Sequence, residues 1–550
     1  MPDIVAVDTV AAAIRTAQKS FGEREAVLDR GRRLSYAEFA DQVRQAAGAL
    51  IAHGIGPGDR VCLWAPNRLE WMLAALGAQY LGAVLVPLNT RYRGAEAVDV
   101  LARTHARLLV VDQSFLDTDY VGMLRAAAPG SAAAPGSAVA PKSAVAPDSA
   151  ASDGPVSGLP ELATIVNLEG ESPGCLPWQD FLAGAKPADL EHAELLADGV
   201  SPDDVADILF TSGTTGRSKG AMANHRQVLG LARDWAGRVR LAAEDRYLIV
   251  NPFFHSFGYK AGYVACLLSG ALIVPQSVFT PGAVLDLIER ERITVLPGPP
   301  AIYQTLLEDP SLADRDLTSL RLAVTGAAMV PQTLIRRIGE ELRIDCTLTG
   351  YGLTEAPVVT MCTQDDDDHT VATTCGRPLE WAEVRTGTSA SPDGPGEVLI
   401  RGPHVMLGYL DDPESTAAAI DADGWLHTGD VGILDQRGYL RITDRLTDMF
   451  TVGGFNVYPA EVEQVITAHS TVLDCAVIGV PDDRLGEVGR AYVSARHDAT
   501  LDTEEIIAYC RERLANFKVP RTVVIVDALP RNAGGKVVKP QLRHRALNGE

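Results

Sequence analysis

From Thr211 to Gly220 the chain reads Thr-Ser-Gly-Thr-Thr-Gly-Arg-Ser-Lys-Gly, a concentration of groups suited to binding phosphate. Hydroxyls at Thr211, Ser212, Thr214 and Thr215 can donate hydrogen bonds. Gly213, Gly216 and Gly220 let the backbone close on a ligand, and Lys219 adds a point charge. The apolar run Val205 to Phe210 lies directly upstream, so the segment reads as a strand feeding a nucleotide phosphate loop rather than a polar turn that binds nothing. It is not a Walker A loop, which requires Gly-Lys-Ser/Thr.

The same ten residues resemble the signature of the adenylate-forming superfamily, which includes acyl-CoA synthetases, luciferases and the adenylation domains of peptide synthetases. One departure is Ser218, where many members carry proline. Serine loosens the loop without removing a ligand group.

Further motifs follow in the superfamily's order, and each would be unremarkable alone. Gly350-Tyr-Gly-Leu-Thr-Glu355 resembles the segment that sets an aromatic face (Tyr351) beside adenine, with Gly352 and Thr354 in contact with nucleotide and Glu355 as a carboxylate for Mg²⁺. The resemblance makes Thr214 a second oxygen ligand, and Mg²⁺ beside a triphosphate needs few protein oxygens. Leu426-His-Thr-Gly-Asp430 is similar to the motif whose aspartate accepts hydrogen bonds from the ribose hydroxyls, and Arg445 matches the arginine near the hinge that supports ribose or phosphate. Gly326, Ala327 and Ala328 resemble the small-residue turn along adenine and the bound carboxylate. In Pro252-Phe-Phe-His-Ser-Phe-Gly258, His255 takes the position beside the carboxylate and the CoA tunnel, where it positions and gates substrate more than it transfers protons.

The loop Leu529-Pro-Arg-Asn-Ala-Gly-Gly-Lys536 has the proline and glycine content of a flexible segment, and Lys536 matches the superfamily's catalytic lysine. Attack of a carboxylate on the α-phosphorus of ATP brings negative groups together. A lysine aligned with that charge lowers the barrier. The resemblance further implies that the C-terminal unit rotates after adenylation, so that Gly453 and Gly454 border the pantetheine arm of CoA. At the hinge, Thr447 stands where relatives usually carry Asp or Lys.

These groups need a scaffold, and the alternation of apolar strand-length runs with helical patterns suggests α/β layering. Leu108 to Val111, Thr164 to Leu168, Ala271 to Pro275, Ile293 to Leu296 and Leu320 to Thr325 read as strands, and Ala283 to Glu291 as a helix. Shorter β structure is expected across Glu397 to Gly402 and Tyr439 to Thr443. A second unit follows, with a helix from Pro459, a strand across Cys475 to Val480 and a helix near Thr503 to Ala515. The expected organisation is a large multi-subdomain N-terminal adenylation domain (1–445) and a small mobile α+β C-terminal domain (446–550) that carries the lysine. Residues 128–151 form four six-residue repeats of the Ala-Pro-X-Ser-Ala type, which cannot bury enough surface to order themselves and read as a loop insertion.

At 550 residues, 46% of them hydrophobic, the chain can build a large core. The net charge of −22 argues against nonspecific binding to nucleic acid or anionic membrane. The runs Trp71 to Leu88 and Gly262 to Phe279 are interrupted by Gly and polar residues and read as buried helix-then-strand rather than membrane spans. Eight scattered cysteines suggest reduced thiols, and the N-terminus lacks signal-peptide character, which makes cytoplasmic the default compartment. The expected ligands are ATP, Mg²⁺, a small carboxylic acid and CoA as co-substrate, with homo-oligomerisation left open.

Within the superfamily, the segments around Asn251 to Gly262, Leu296 to Tyr303 and Thr373 to Pro378 look like actinobacterial ligases acting on steroid-derived ring propanoates. Two other readings stay open at this point. One is an adenylating enzyme with a non-CoA acceptor, either a carrier-protein thiol or, through nitrite activation, an aryl amine. The other is an inactive nucleotide-binding regulator.

Overall fold

The computed structural model describes residues 7–128, 156–211, 218–326, 330, 332–387, 394–446, 448–452, 455–482, 484–496, 499–514, 516–532 and 536–548. Ser212 to Arg217 of the phosphate loop, Ala327, Ala328, Thr447, Gly453, Gly454 and repeat residues 129–151 lie outside these ranges.

Two large sheets dominate the N-terminal part, each parallel at its centre with antiparallel strands at an edge. The first runs Leu176–Pro177, Thr164–Asn167, Leu108–Val111, Arg60–Trp64, Val84–Pro87, Val205–Thr211, Lys219–Asn224 and Gly408–Tyr409, and the last two strands join it antiparallel. The second places Arg246–Ile249, Leu272–Pro275, Val295–Gly298, Leu322–Gly326 and Cys346–Leu353 in parallel register and then turns antiparallel through Ala356–Met361. Central parallel strands are covered on both faces, which is why they read in sequence as unbroken apolar runs.

Helices Tyr36–Ala52, Leu69–Tyr80 and His225–Arg238 share one core with both sheets: Phe39, Trp71 and Trp235 pack in the same cluster as Leu63 and Leu85 of the first sheet and Tyr247 and Ile249 of the second. Every residue of Leu69–Tyr80 is buried. Each large side chain so buried contributes about 1.5–3 kcal/mol. Both apolar runs checked for membrane character are helix followed by strand, and among the described residues no helix is long and apolar enough to cross a membrane.

A smaller antiparallel sheet, Glu383–Thr386, Gly396–Arg401, Leu426–Leu434 and Leu440–Arg445, leads to the C-terminal unit. There the long pair Val472–Asp482 and Gly486–Ala495 is extended by Thr522–Ile525, and helices Pro459–Thr467 and Thr503–Arg511 cover a separate core around Val462, Val477, Val493 and Ile506. The fold is thus a large α/β N-terminal unit followed by a small α+β unit.

Candidate active site

The strand Val205–Thr211 ends where the phosphate loop begins, and the chain returns antiparallel as Lys219–Asn224, with Thr211 paired to Lys219. The Thr211 hydroxyl donates to the Lys219 carbonyl at 3.4 Å. Arg103, at the end of helix Gly94–Arg103, donates to the Ser218 carbonyl at 2.6 Å while its guanidinium lies 5.2 Å from the Phe210 ring centroid. It pins the base of the loop from outside.

Glu355 sits in a two-residue turn, Thr354-Glu355, joining strands Cys346–Leu353 and Ala356–Met361. The hairpin has a register shift between Tyr351 and Leu353. A side chain at Gly352 would meet the Val358 backbone nitrogen at 2.3 Å, and Val358 holds φ 51, which β-branched residues rarely adopt. Bulges of this kind re-aim neighbouring side chains, here Tyr351 and Glu355. The turn is anchored by Met406, whose N–H donates to the Glu355 carbonyl at 2.7 Å.

The Tyr409 hydroxyl donates to Glu355 Oε1 at 2.8 Å, and the Tyr409 ring lies 5.0 Å from Lys219 Nζ. Burial, reinforced by the Glu355 charge, holds the phenol well above its ordinary pKa, so it stays a donor. On the opposite side the Tyr351 hydroxyl donates to Asp430 Oδ2 at 2.7 Å. Asp430 is buried in strand Leu426–Leu434, its N–H bonded to the Thr428 hydroxyl, and in backbone register with Arg445. Gly326 ends its strand beside Gly350, where an added Cβ would approach the Gly350 carbonyl oxygen to 2.8 Å. Only glycine allows these strands this spacing.

His255 caps the one-turn helix Ser256–Gly258, its Nδ1 accepting from the Phe257 N–H at 3.2 Å, which leaves the proton of the neutral ring on Nε2. Burial pushes its pKa down to about 4, and the Lys536 ammonium adds to the shift. The Lys536 charge, from the C-terminal unit, is therefore felt at His255. The described residues on either side of the lysine's loop pair: Arg531 bridges Val537, and Asn532 exchanges hydrogen bonds with Lys536 through its N–H (2.8 Å) and Oδ1 (2.9 Å).

Printed contacts thus join Lys219, Tyr409 and Glu355, and separately Tyr351 and Asp430, from widely separated segments. Residues 14–410 match the family described as AMP-binding enzyme, and 461–536 match the AMP-binding enzyme C-terminal domain. The chain belongs to the AMP-binding enzyme family. This AMP-binding enzyme is 50% identical over 540 residues to the 3-[(3aS,4S,7aS)-7a-methyl-1,5-dioxo-octahydro-1H-inden-4-yl]propanoyl:CoA ligase of Rhodococcus jostii (strain RHA1), covering 97% of this chain and 98% of the relative. The ligase of the same name from Mycobacterium tuberculosis (strain ATCC 25618 / H37Rv) is 52% identical over 536 residues, with 97% and 98% covered. Among solved structures, the anthranilate CoA ligase AuaEII in complex with anthranoyl-AMP superposes with a TM-score of 0.85 at 25% identity, covering 98% of both chains. ATP-bound MatB from Rhodopseudomonas palustris gives 0.83 at 29%, also covering 98% of both.

Sequence reasoning named Glu355, Lys219, Tyr351 and Asp430, but not Tyr409, which joins Glu355 to Lys219, or Arg103, which holds the Ser218 carbonyl. No motif marks either: Tyr409 lies 54 positions from Glu355 and Arg103 115 from Ser218. The Ser212 to Gly216, Ala327, Ala328, Gly453 and Gly454 expectations fall outside the described residues.

Proposed function

We propose that this AMP-binding enzyme is an AMP-forming acyl-CoA ligase for a fused-ring propanoic acid, and that the site residues divide its two half-reactions between them. The chemistry begins with the acid carboxylate attacking the α-phosphorus of ATP, which releases pyrophosphate and leaves an acyl-adenylate. The thiol of CoA then displaces AMP. Full-length identity of 50–52% to ligases of the ring propanoate supports that substrate class and CoA as acceptor over the non-CoA and regulator readings.

The observation that carries the reading is that full-length identity, and the Lys536 charge felt at His255 across the two units supports it. A cation from the C-terminal unit beside the site stabilises negative charge on the α-phosphate as it develops. Lys219 and the hydroxyls of its loop hold the outer phosphates, Asp430 receives the ribose, and Tyr351 both faces adenine and fixes Asp430. His255, neutral at ordinary pH, borders the carboxylate and shapes the path of the thiol.

Mg²⁺ fits the donor set. Glu355 is a hard oxygen ligand at a rigid hairpin tip, already oriented through one oxygen by Tyr409, and one such carboxylate suffices where triphosphate and water supply the rest. Thr214 is its proposed companion. When bound, the ion neutralises charge on the departing pyrophosphate. The junction between units is placed at 445/446, so that rotation there withdraws Lys536 and brings Gly453 and Gly454 toward CoA.

The test is a panel of carboxylic acids with ATP, in which AMP release is measured with and without CoA. Ring propanoates should give CoA-dependent AMP release and thioester. Turnover that ignores CoA would overturn the ligase reading.

A further inference from the structure

One arginine outside the reaction centre touches both ends of the proposed phosphate loop. The described ladder between strands Val205–Thr211 and Lys219–Asn224 reaches Thr211 and Lys219, with Phe210 opposite Gly220. Arg103 ends helix Gly94–Arg103, and its side chain is 18% exposed. Its guanidinium stands 5.2 Å from the Phe210 ring centroid on the strand that enters the loop, and its Nη1 donates to the Ser218 carbonyl at 2.6 Å where the chain leaves it. Asp99, one turn back on the same helix, holds that nitrogen at 3.2 Å. The ring itself has little room to shift: a Cβ added at Gly220 would meet Phe210 Cζ at 3.1 Å.

The Ser218 carbonyl lies in one peptide plane with the Lys219 nitrogen. Holding the carbonyl therefore sets the direction in which the Lys219 backbone and side chain start. A proline at 218 would fix φ there through its ring, whereas serine leaves it free, so the restraint on this residue comes from the Arg103 hydrogen bond instead. The Arg103 and Lys219 charges also converge: both are felt at Asp412, whose carboxyl is held below the usual range chiefly by its hydrogen bonds with Ser415.

We infer that Arg103 is a positioning residue for the outer phosphates of ATP: it clamps the entry and the exit of the loop together and so fixes where Lys219 is presented. The inference rests on the reading above that Lys219 and its loop hold those phosphates. AMP lacks them and serves as the internal control.

The experiment measures binding of ATP with Mg²⁺, and of AMP, by isothermal titration calorimetry, together with thermal midpoints. The proteins are the wild type, Arg103→Met, Arg103→Met/Ser218→Pro and Lys219→Met. Methionine keeps an apolar stem beside Phe210 and leaves Asp99, 33% exposed, in reach of water. Arg103→Met should weaken ATP binding about tenfold, as expected for one hydrogen bond from a charged donor at a partly exposed position, and leave AMP binding unchanged. Adding Ser218→Pro should return the ATP affinity toward the wild-type value. Unchanged ATP affinity in Arg103→Met, equal losses for ATP and AMP, or no recovery in the double variant would overturn the inference. A Lys219→Met variant that binds ATP as tightly as the wild type would instead overturn the phosphate-loop reading on which it rests.

Discussion

The Tyr409 hydroxyl donates a 2.8 Å hydrogen bond to Glu355 Oε1, so the proposed magnesium carboxylate is oriented by a residue from a different sheet. The same ring lies 5.0 Å from Lys219 Nζ. One side chain thereby sets the spacing between the phosphate-loop lysine and the hairpin carboxylate.

Tyr409→Phe separates these two contacts. The ring and its attraction for Lys219 persist, while one hydrogen bond to a carboxylate is lost, worth about 1.5–3 kcal/mol at most. Tyr409 is only partly buried, so the lower end applies, and half-saturation by Mg²⁺ in ATP turnover should rise about tenfold with little change in thermal midpoint. Unchanged magnesium dependence would remove Tyr409 from any role in placing Glu355.

Acid should weaken the fold through His225, which is fully buried at the start of helix His225–Arg238 with Nδ1 accepting from the Val10 N–H at 3.3 Å. Burial pushes its pKa down to about 4 from an ordinary 6.5. Between these values the unfolded chain binds the extra proton and the folded chain does not. Stability therefore falls as pH drops from 6.5 toward 4, by on the order of 3 kcal/mol from this one residue. His255 acts in the same direction. Denaturant titrations at pH 4.5 and 7.5 should show a smaller loss in His225→Gln than in the wild type. An identical pH dependence in the two proteins would exclude His225 as a source.

The extent to which this organisation is legible in sequence follows from what each residue contacts. Leu108 to Val111 was delimited correctly from its apolar run, and the phosphate-loop strand differs only at its last residue, because central parallel strands are buried on both faces. Ile293 to Leu296 is displaced to Val295–Gly298. The strand runs through Pro297, whose carbonyl accepts from Asn251 Nδ2 at 3.1 Å. The predicted helix Thr503 to Ala515 stops at Arg511. Candidate site residues inside contiguous motifs could be named from sequence. Arg103 and Tyr409 could not be, since each takes its meaning from a partner on another element, and periodicity encodes only which face is buried.

The repeat should be dispensable. It lies in the connection between Leu108–Val111 and Thr164–Asn167, which are adjacent and parallel, so the pairing does not depend on the length of the crossover. Ala128, the first residue of the repeat, and Val156 both pack in the core cluster beneath this edge. The deletion should therefore start after Ala128. Replacing 129–151 by a short Gly/Ser linker should leave turnover and thermal midpoint nearly unchanged. Loss of folding in this variant would show that the repeat contributes packing.

Lys536→Ala should divide the two half-reactions. The Lys536 charge is felt at His255, and its proposed role ends once charge at the α-phosphate has been dispersed and pyrophosphate has left. Removing a preorganised contact to developing charge costs about a hundredfold to a thousandfold in rate. The variant should accordingly be poor in carboxylate-dependent ATP/pyrophosphate exchange. Thiol attack on a preformed adenylate expels AMP and calls for the other orientation of the C-terminal unit, in which Lys536 is withdrawn. The same variant, given acyl-adenylate and CoA, should form thioester at close to the wild-type rate. If a folded variant lost both half-reactions equally, Lys536 would have to remain at the site throughout the cycle, and rotation at the 445/446 junction would not be what separates the steps.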